Sequence, residues 1–415
     1  MTLATALLSI VSLASILCML LRPWRIAEAW WVCAGALLLV ISGLLPLRQA
    51  AQAVGEGLDV YLFLTGMMVL AEIARQERVF EWAAGLAAAH AKGSPRRLFL
   101  LVYCVGILVT ALLSNDATAV VLTPAVLAVV RRARVEPEPY LFACALIANA
   151  ASFLFPISNP ANLVVFGPGI PPLFSWLGIF LVPSIASILV TYVCLRWHSH
   201  ASLRGIIAAD PAPVALTTQG RLALAGLCLA AGALIASSAF GLPLGAPTCI
   251  AACAALIVVA ARNRPIVANV VRGVSWSVLP LVAGLFVLVA ALKNAGLLQA
   301  MLAGLQALAD LPPWLEKCAA GFSVALASNA MNNLPMGLIS GAAIRSAHES
   351  GVMAHAVLIG VDLGPNLSVT GSLATILWLI ALRREKVEIT AWAFLRLGIF
   401  AMPLALAASL LALWR

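Results

Sequence analysis

The chain has 415 residues, of which 63% are hydrophobic and 10% charged, with a formal net charge of +9 and a mean hydropathy of +1.06. That balance excludes an ordinary soluble globular domain and points to a polytopic, all-α membrane protein. The positive charge does not point to nucleic acid, because Lys and Arg stand in short runs beside apolar stretches, as in cytoplasmic loops.

A helix needs about 20 apolar residues to cross the bilayer core. The stretch near 2–21 has no basic segment ahead of it (Arg22 and Arg25 follow it), so it reads as a first span and not as a cleaved leader. Further spans are predicted near 27–46, 58–75, 139–166, 172–196, 222–241, 245–262, 275–293, 352–382 and 390–413, which makes ten. Two other apolar pairs, 97–113 with 117–130 and 314–327 with 334–346, have arms of roughly 14–17 residues. These are short for a crossing and suit re-entrant hairpins over 97–130 and 314–346. The segments 79–92 and 295–310, just ahead of the hairpins, read as helices near opposite interfaces. Residues 197–221, with Asp210-Pro211-Ala212-Pro213, read as a linker.

If each hairpin enters and leaves on one side, every connection is assigned to a face. Twenty Lys and Arg residues then share one face, among them Arg75, Arg78, Arg131, Arg132, Arg272 and Arg384. Arg48, Lys293, Lys317, Arg345 and Arg415 take the other. The crowded face is expected to be cytoplasmic, with the linker on it and both termini exoplasmic. The chain also repeats: Leu62-Phe63-Leu64-Thr65-Gly66-Met67-Met68-Val69-Leu70 resembles Pro280-Leu281-Val282-Ala283-Gly284-Leu285-Phe286-Val287-Leu288. Residues 1–196 and 222–415 thus each hold five spans and one hairpin. Five is odd, so the second unit is expected to lie inverted, with the hairpin tips meeting near the midplane.

The hairpins are broken at matching polar sites, Ser114-Asn115-Asp116 before Pro124 and Ser328-Asn329-Ala330-Met331-Asn332-Asn333 before Pro335. Polar residues at hydrocarbon depth are tolerated only where protein or a watery cavity satisfies them. Two spans carry further breaks, at Pro156-Ile157-Ser158-Asn159-Pro160-Ala161-Asn162 and at Gly364-Pro365-Asn366-Leu367-Ser368-Val369-Thr370-Gly371-Ser372. Together they are expected to aim four helix N-termini at one ligand. The candidate substrate-binding residues are Ser114, Asn115, Asn159, Asn162, Ser328, Asn329, Asn332, Asn333, Thr370 and Ser372.

Among the acids, Asp116 lies at the first tip. Asp362 lies ten residues into its span, about 15 Å of helix rise. Burial favours the neutral carboxyl, so both are candidate proton carriers. Glu72, near the end of its span, is a shallower acid. No Lys or Arg falls at the expected midplane, which favours a neutral polyhydroxyl solute or a cation over an anion. The nine cysteines lie mostly in apolar segments and read as packing residues. Cys249 and Cys253, one helix turn apart, lack a third ligand for a metal site. No His, Cys or Ser stands with a partner at catalytic spacing, so transport without covalent chemistry, and without a cofactor, is expected.

Three stretches carry a family resemblance over nearly the whole chain. The run from Leu113 to Pro124 resembles the first motif of ArsB-type arsenite efflux pumps. So do Asn332-Asn333-Leu334-Pro335-Met336 and Gly360-Val361-Asp362-Leu363-Gly364-Pro365-Asn366-Leu367 with Thr370-Gly371-Ser372-Leu373-Ala374-Thr375. The resemblance implies export of arsenite and antimonite across the plasma (inner) membrane, coupled to proton entry at Asp116 and Asp362. It also leaves room for a cytoplasmic ATPase subunit as partner. The wider ion transporter superfamily shares the paired Ser-Asn hairpins, so sodium/proton antiport and sodium-coupled dicarboxylate carriage are the alternatives. The second tip lacks the Thr that follows Ser-Asn in dicarboxylate carriers.

Overall fold

The computed structural model describes residues 3–207, 215–309, 311–347 and 351–413. The Asp210–Pro213 turn and Arg415, both used in the sequence reading, lie outside them. Every regular element among the described residues is helical. The first half contains α1 (Leu3–Leu21), α2 (Glu28–Ile41), α3 (Leu47–Glu56), α4 (Leu58–Gln76), α5 (Val79–His90) and α6 (Pro95–Leu112). It continues with the single turn α7 (Asn115–Ala117), α8 (Thr123–Arg132), α9 (Glu138–Ala150), α10 (Pro160–Phe166) and α11 (Leu173–His198). The second half contains α12 (Thr218–Ala239), α13 (Gly245–Ala260), α14 (Ile266–Gly273), α15 (Val278–Asn294), α16 (Leu297–Ala309), α17 (Pro313–Met331), α18 (Asn333–Ser346), α19 (Val352–Leu363), α20 (Leu373–Arg384) and α21 (Ala391–Ala412).

Six stretches are long and apolar enough to cross a bilayer by themselves: α1, α6, α11, α12, the run Ile266–Asn294 and α21. The pair α3–α4, bent by 49°, makes a seventh. The remaining apolar segments are shorter or interrupted. The helix α2 has 14 residues and α13 has 16, while the predicted spans over 139–166 and 352–382 each fall into two helices around a break. Length does not separate α6, with 18 residues, from a crossing helix.

The breaks follow from local chemistry. Ser114 has an extended backbone and its Oγ accepts the Ala117 N–H at 3.1 Å, starting α7. A π-helical stretch, Thr118–Leu122, precedes Pro124, with Thr123 Oγ1 donating to the Thr118 carbonyl at 3.2 Å; such widened turns accompany a lost helical N–H. Between α9 and α10 the chain unwinds, and Asn159 begins α10 by accepting the Ala161 N–H. Ser372 begins α20 in the same way, accepting from Thr375.

The second hairpin turns at the far end of the break expected over Ser328–Asn333: α17 continues to Met331 and the chain turns at Asn332, with φ 76°. Ser328 and Asn329 instead bond back to carbonyls four residues earlier, Val324 at 2.9 Å and Ala325 at 2.8 Å, which a helix accommodates.

Packing crosses the two halves. The helix α4 lies against α13, and α15 against α2. At these crossings a glycine admits the neighbouring helix. A Cβ on Gly66 would come within 2.7 Å of the Thr248 backbone, and one on Gly284 within 2.7 Å of Val32. Close approach at small residues is how helices associate where lipid offers no hydrophobic drive. Gly66→Ala is therefore expected to cost about 1–3 kcal/mol through overpacking, seen as a lower thermal midpoint of the purified protein in detergent. Gly232→Ala, on α12 with no atom within 4 Å of its would-be Cβ, should leave the midpoint unchanged or slightly raised. Equal effects of the two would refute this packing assignment.

Candidate functional site

Two cavities lie at opposite ends of the α4–α15 pair. One, of ≈ 820 Å³, meets Asp59 and Val60 in the first turn of α4 and Val289, Ala290 and Lys293 towards the end of α15. The other, of ≈ 700 Å³, meets Ala71, Glu72 and Arg75 towards the end of α4 and Val278 at the start of α15. The two helices therefore run antiparallel between the cavities.

The second cavity contains the first hairpin tip. Ser114, Asp116 and Ala117 line it, together with Pro160, the first residue of α10, and Leu377, Ala381 and Arg384 of α20. Its other charges are Glu72, Glu81 and Glu385 against Arg75, Arg272 and Arg384. The three arginines occupy the last turns of α4, α14 and α20, whereas Asp116 sits at the helix break. Glu72 is buried in a bidentate pair with Arg75 (2.5 and 2.7 Å) and takes a third bond from Gln76 at 2.7 Å. Arg131 of α8 reaches Glu385, donating to its backbone carbonyl at 2.8 Å, and so ties the hairpin to the end of α20. Asn115 is buried; its Oδ1 accepts the Asp116 N–H at 2.9 Å.

Asp362 occupies different ground. It is fully buried on α19 and lines neither cavity. Oδ2 lies 2.7 Å from Ser152 Oγ, and Oδ1 accepts from Asn159 Nδ2 at 2.8 Å. The same Asn159 caps α10, whose first residue Pro160 borders the second cavity. One side chain thus connects the buried acid to the cavity wall. Asn162 is a structural neighbour: its Nδ2 lies within 3.0–3.3 Å of the Ser152, Phe155 and Pro156 carbonyls freed by the unwound segment.

The second tip engages the second broken span. Asn329 Nδ2 donates to the Gly364 carbonyl at 2.9 Å while its Oδ1 accepts from Ser368 at 2.6 Å. Thr370 Oγ1 donates to the Asn329 carbonyl at 3.0 Å, and Asn332 Nδ2 donates to the Thr370 carbonyl at 3.3 Å. Asn332 also caps α18. Ser328 is buried within α17, and Asn333 is buried at the first position of α18. Ser372 pairs with Thr375 at 2.7 Å.

The site residues are therefore gathered in groups and not on one surface. Ser114 and Asp116 share the second cavity; Asn159 and Asp362 form the buried cluster beside it. Asn329, Asn332 and Thr370 join the second tip to its span. Four participants lie outside the candidate set: Ser368, which holds Asn329, and three more. Ser152 holds Asp362. Asn149 Nδ2 donates to Asn366 Oδ1 at 3.0 Å, and Asn366 donates to the Leu146 carbonyl at 3.1 Å, linking the two broken spans. Asn366 stands in a motif that marks a break, whereas Asn149 and Ser152 precede the Pro156 signal and look like ordinary helix residues. Among the described residues no group of three or more His, Cys, Asp or Glu side chains is placed to hold a metal ion.

Known proteins resemble the chain throughout. The sequence model of the arsenical pump membrane protein family, ArsB, matches residues 7–414. The arsenical pump membrane protein of Escherichia coli (strain K12) is 31% identical over 402 residues, covering 91% of each chain. That of Yersinia enterocolitica is 28% identical over 394 residues, again 91% of each. Among solved structures, the YdaH transporter of Alcanivorax borkumensis superposes with a TM-score of 0.56 at 15% identity, over 88% of this chain and 86% of that one. At that identity the likeness shows a shared fold and no more. With the family model spanning almost the entire sequence, this chain belongs to the arsenical pump membrane protein family.

Proposed function

We propose that the protein is a secondary transporter that exports trivalent metalloid hydroxides, arsenite and antimonite, from the cytoplasm in exchange for protons. The observation that carries this reading is the position of Asp116, a carboxylate at a helix break on the wall of a ≈ 700 Å³ cavity. The cavity's six other charged groups are three acids and three arginines, so Asp116 leaves it with one more acid than base. Such a lining does not favour a dicarboxylate anion. Arsenous acid is a neutral trihydroxy solute near pH 7, suited to a carboxylate and to Ser and Asn groups that donate and accept.

The fold is proposed to be an inverted repeat, 1–196 and 222–415 joined by a cytoplasmic linker over 197–221. Each half has five spans and one hairpin. The antiparallel α4 and α15, the matched crossings Gly66–Thr248 and Gly284–Val32, and the Asn149–Asn366 pair all support it. The count reaches ten when α9–α10 and α19–α20 are each taken as one broken span and α2 and α13 as short ones. The cavity linings sort as the positive-inside reading requires. Arg75, Arg272 and Arg384 surround the second cavity, and Lys293 and Arg345 the first. The second cavity is then the cytoplasmic entrance, the first the exoplasmic exit, and both termini are exoplasmic.

In the proposed cycle, substrate enters from the cytoplasm and hydrogen-bonds to deprotonated Asp116 and to Ser114, while buried Asn115 holds the Asp116 backbone in place. Protons arriving from outside neutralise Asp116 and Asp362 and release the substrate. The carrier resets with both acids neutral, since a bare carboxylate crosses a low-dielectric gate at far greater cost. Asn159, Asn162, Ser328, Asn329, Asn332, Asn333, Thr370 and Ser372 complete the amide and hydroxyl network that shapes the broken helices around this path.

Everted vesicles carrying only this protein should accumulate arsenite and antimonite under an imposed proton gradient and lose them on adding an uncoupler. Sodium-driven uptake of citrate or succinate would instead reject the neutral-solute reading. Asp116→Asn and Asp362→Asn should keep the hydrogen bonding and lose proton-driven accumulation, falling to passive equilibration. Glu72→Gln should retain most activity, because it gives up a pair whose Arg75 side chain is 49% exposed. Normal pumping by both Asp variants alongside a dead Glu72→Gln would place the proton path elsewhere. No cysteine lines either cavity, so a variant with all nine replaced by Ala should still accumulate arsenite. Loss on replacing Cys249 or Cys253 alone, at normal membrane levels, would revive capture by thiolates.

A further inference from the structure

We propose that Ser152 is the positioning residue through which protonation of Asp362 reaches the broken helix, by redirecting its single hydroxyl hydrogen. This rests on the reading of Asp362 as a coupling acid.

Ser152 is fully buried, just beyond the end of α9. Its Oγ lies 2.7 Å from the Asn149 carbonyl oxygen and 2.7 Å from Asp362 Oδ2. Both distances are hydrogen-bond lengths, yet a serine hydroxyl has one hydrogen, and a carbonyl and a carboxylate only accept. The two contacts cannot both be donated by Ser152. With Asp362 ionised, the hydroxyl hydrogen goes to the carboxylate, the stronger acceptor, and the Asn149 carbonyl loses it. With a proton on Oδ2, the acid O–H donates to Ser152 Oγ and the hydroxyl hydrogen turns to the Asn149 carbonyl. One proton enters, one O–H rotates, and no other covalent bond changes. Only the protonated acid satisfies both short contacts at once.

The consequence is local and directional. Protonation closes a hydrogen bond on the last turn of α9, and deprotonation opens it. That turn also carries the Asn149 side chain, which holds Asn366 in the other broken span. The other oxygen of Asp362 is held by Asn159, the cap of α10. Both ends of the unwound segment therefore answer to one carboxyl group. No second charge sits in the cluster. On the helices packed against α19, the acids and bases stand near the ends: Glu138 on α9, Glu316 and Lys317 on α17, Arg345 on α18 and Arg396 on α21. On α19 itself His355 lies two turns before Asp362, and Cys144 is the buried thiol of α9.

The test is the pH profile of proton-driven arsenite accumulation in everted vesicles, with lumenal pH varied. Ser152→Ala removes a charge-assisted donor from the ionised acid, so the midpoint should move up by about one pH unit. Ser152→Thr, which keeps the hydroxyl, should stay at the parent midpoint. Asp362→Asn should abolish the pH dependence, and adding Ser152→Ala to it should change nothing further, the non-additivity of a coupled pair. A Ser152→Ala profile that overlays the parent, with Asp362→Asn insensitive to pH, would overturn the role of Ser152 and leave the coupling acid in place. Parent-like accumulation by Asp362→Asn would overturn both. Should Ser152→Ala fail to reach the membrane, Ser152→Cys replaces it. Its weaker S–H donor should give a smaller shift in the same direction, and no shift would refute the proposal.

Discussion

A peptide group freed from a helix inside a bilayer has no water to bond, so every break must bring its own partners. The rest of this structure depends on that constraint. Four helices start within the hydrophobic body of the protein, and each starts on a polar side chain: Ser114, Asn159, Asn332 and Ser372. A cap satisfies only part of the deficit, since about four N–H groups are exposed at each start. Carbonyls freed at the preceding ends need donors as well. Asn162 Nδ2, with two hydrogens, stands within reach of three of them in the first broken span, and Asn329 and Asn332 serve the second. The protein thus holds a dense polar network, and the ≈ 700 Å³ cavity opens beside it at α7 and α10.

The two acids proposed to couple protons, Asp116 and Asp362, stand in different environments. Asp116 faces a cavity and can touch what enters it. Asp362 touches protein alone, with Ser152 on one oxygen and Asn159 on the other. A group that contacts only structural partners can act only by changing them, so in the proposed cycle protonation of Asp362 would bear on the shape of the break and not on a ligand. Asn159 makes the connection short. It holds the buried acid with its amide nitrogen and caps α10 with its amide oxygen, so a change at Asp362 is one side chain away from the cavity wall.

Much of this was legible in the sequence. Proline, glycine and asparagine clusters inside apolar runs marked all four breaks, because few other patterns make a helix stop at hydrocarbon depth. The internal repeat over 62–70 and 280–288 identified the two antiparallel helices that separate the cavities. Other features were not legible. Ser328-Asn329 looked like a second tip equivalent to Ser114-Asn115, but Ser and Asn cap a helix or bond back to the i−4 carbonyl with similar ease. At Ser328 and Asn329 the second choice won, and the turn moved to Asn332. Ser152 and Asn149 were silent for a related reason. Nothing in a one-dimensional pattern distinguishes a serine that bonds its own helix from one that also reaches an acid on another.

The same comparison shows how the two halves of the proposed repeat differ. The hairpin tips differ in chemistry, Asp116 in the first against Ala330 at the matching place in the second. The broken spans differ in the opposite sense, since the buried acid belongs to the second span and its donors, Ser152 and Asn159, belong to the first. On the proposed repeat, each half therefore contributes one of the two proposed coupling acids, but from a different element. Asp362 is bonded to Ser152 and Asn159, which precede the proposed linker while it follows it, so a relative shift of the proposed halves would stretch or break those hydrogen bonds. An acid held within one half would ride with it and sense nothing. In the proposed cycle, placing Asp362 on one broken span and its partners on the other would make its protonation depend on how the two halves sit, and how they sit depend on its protonation.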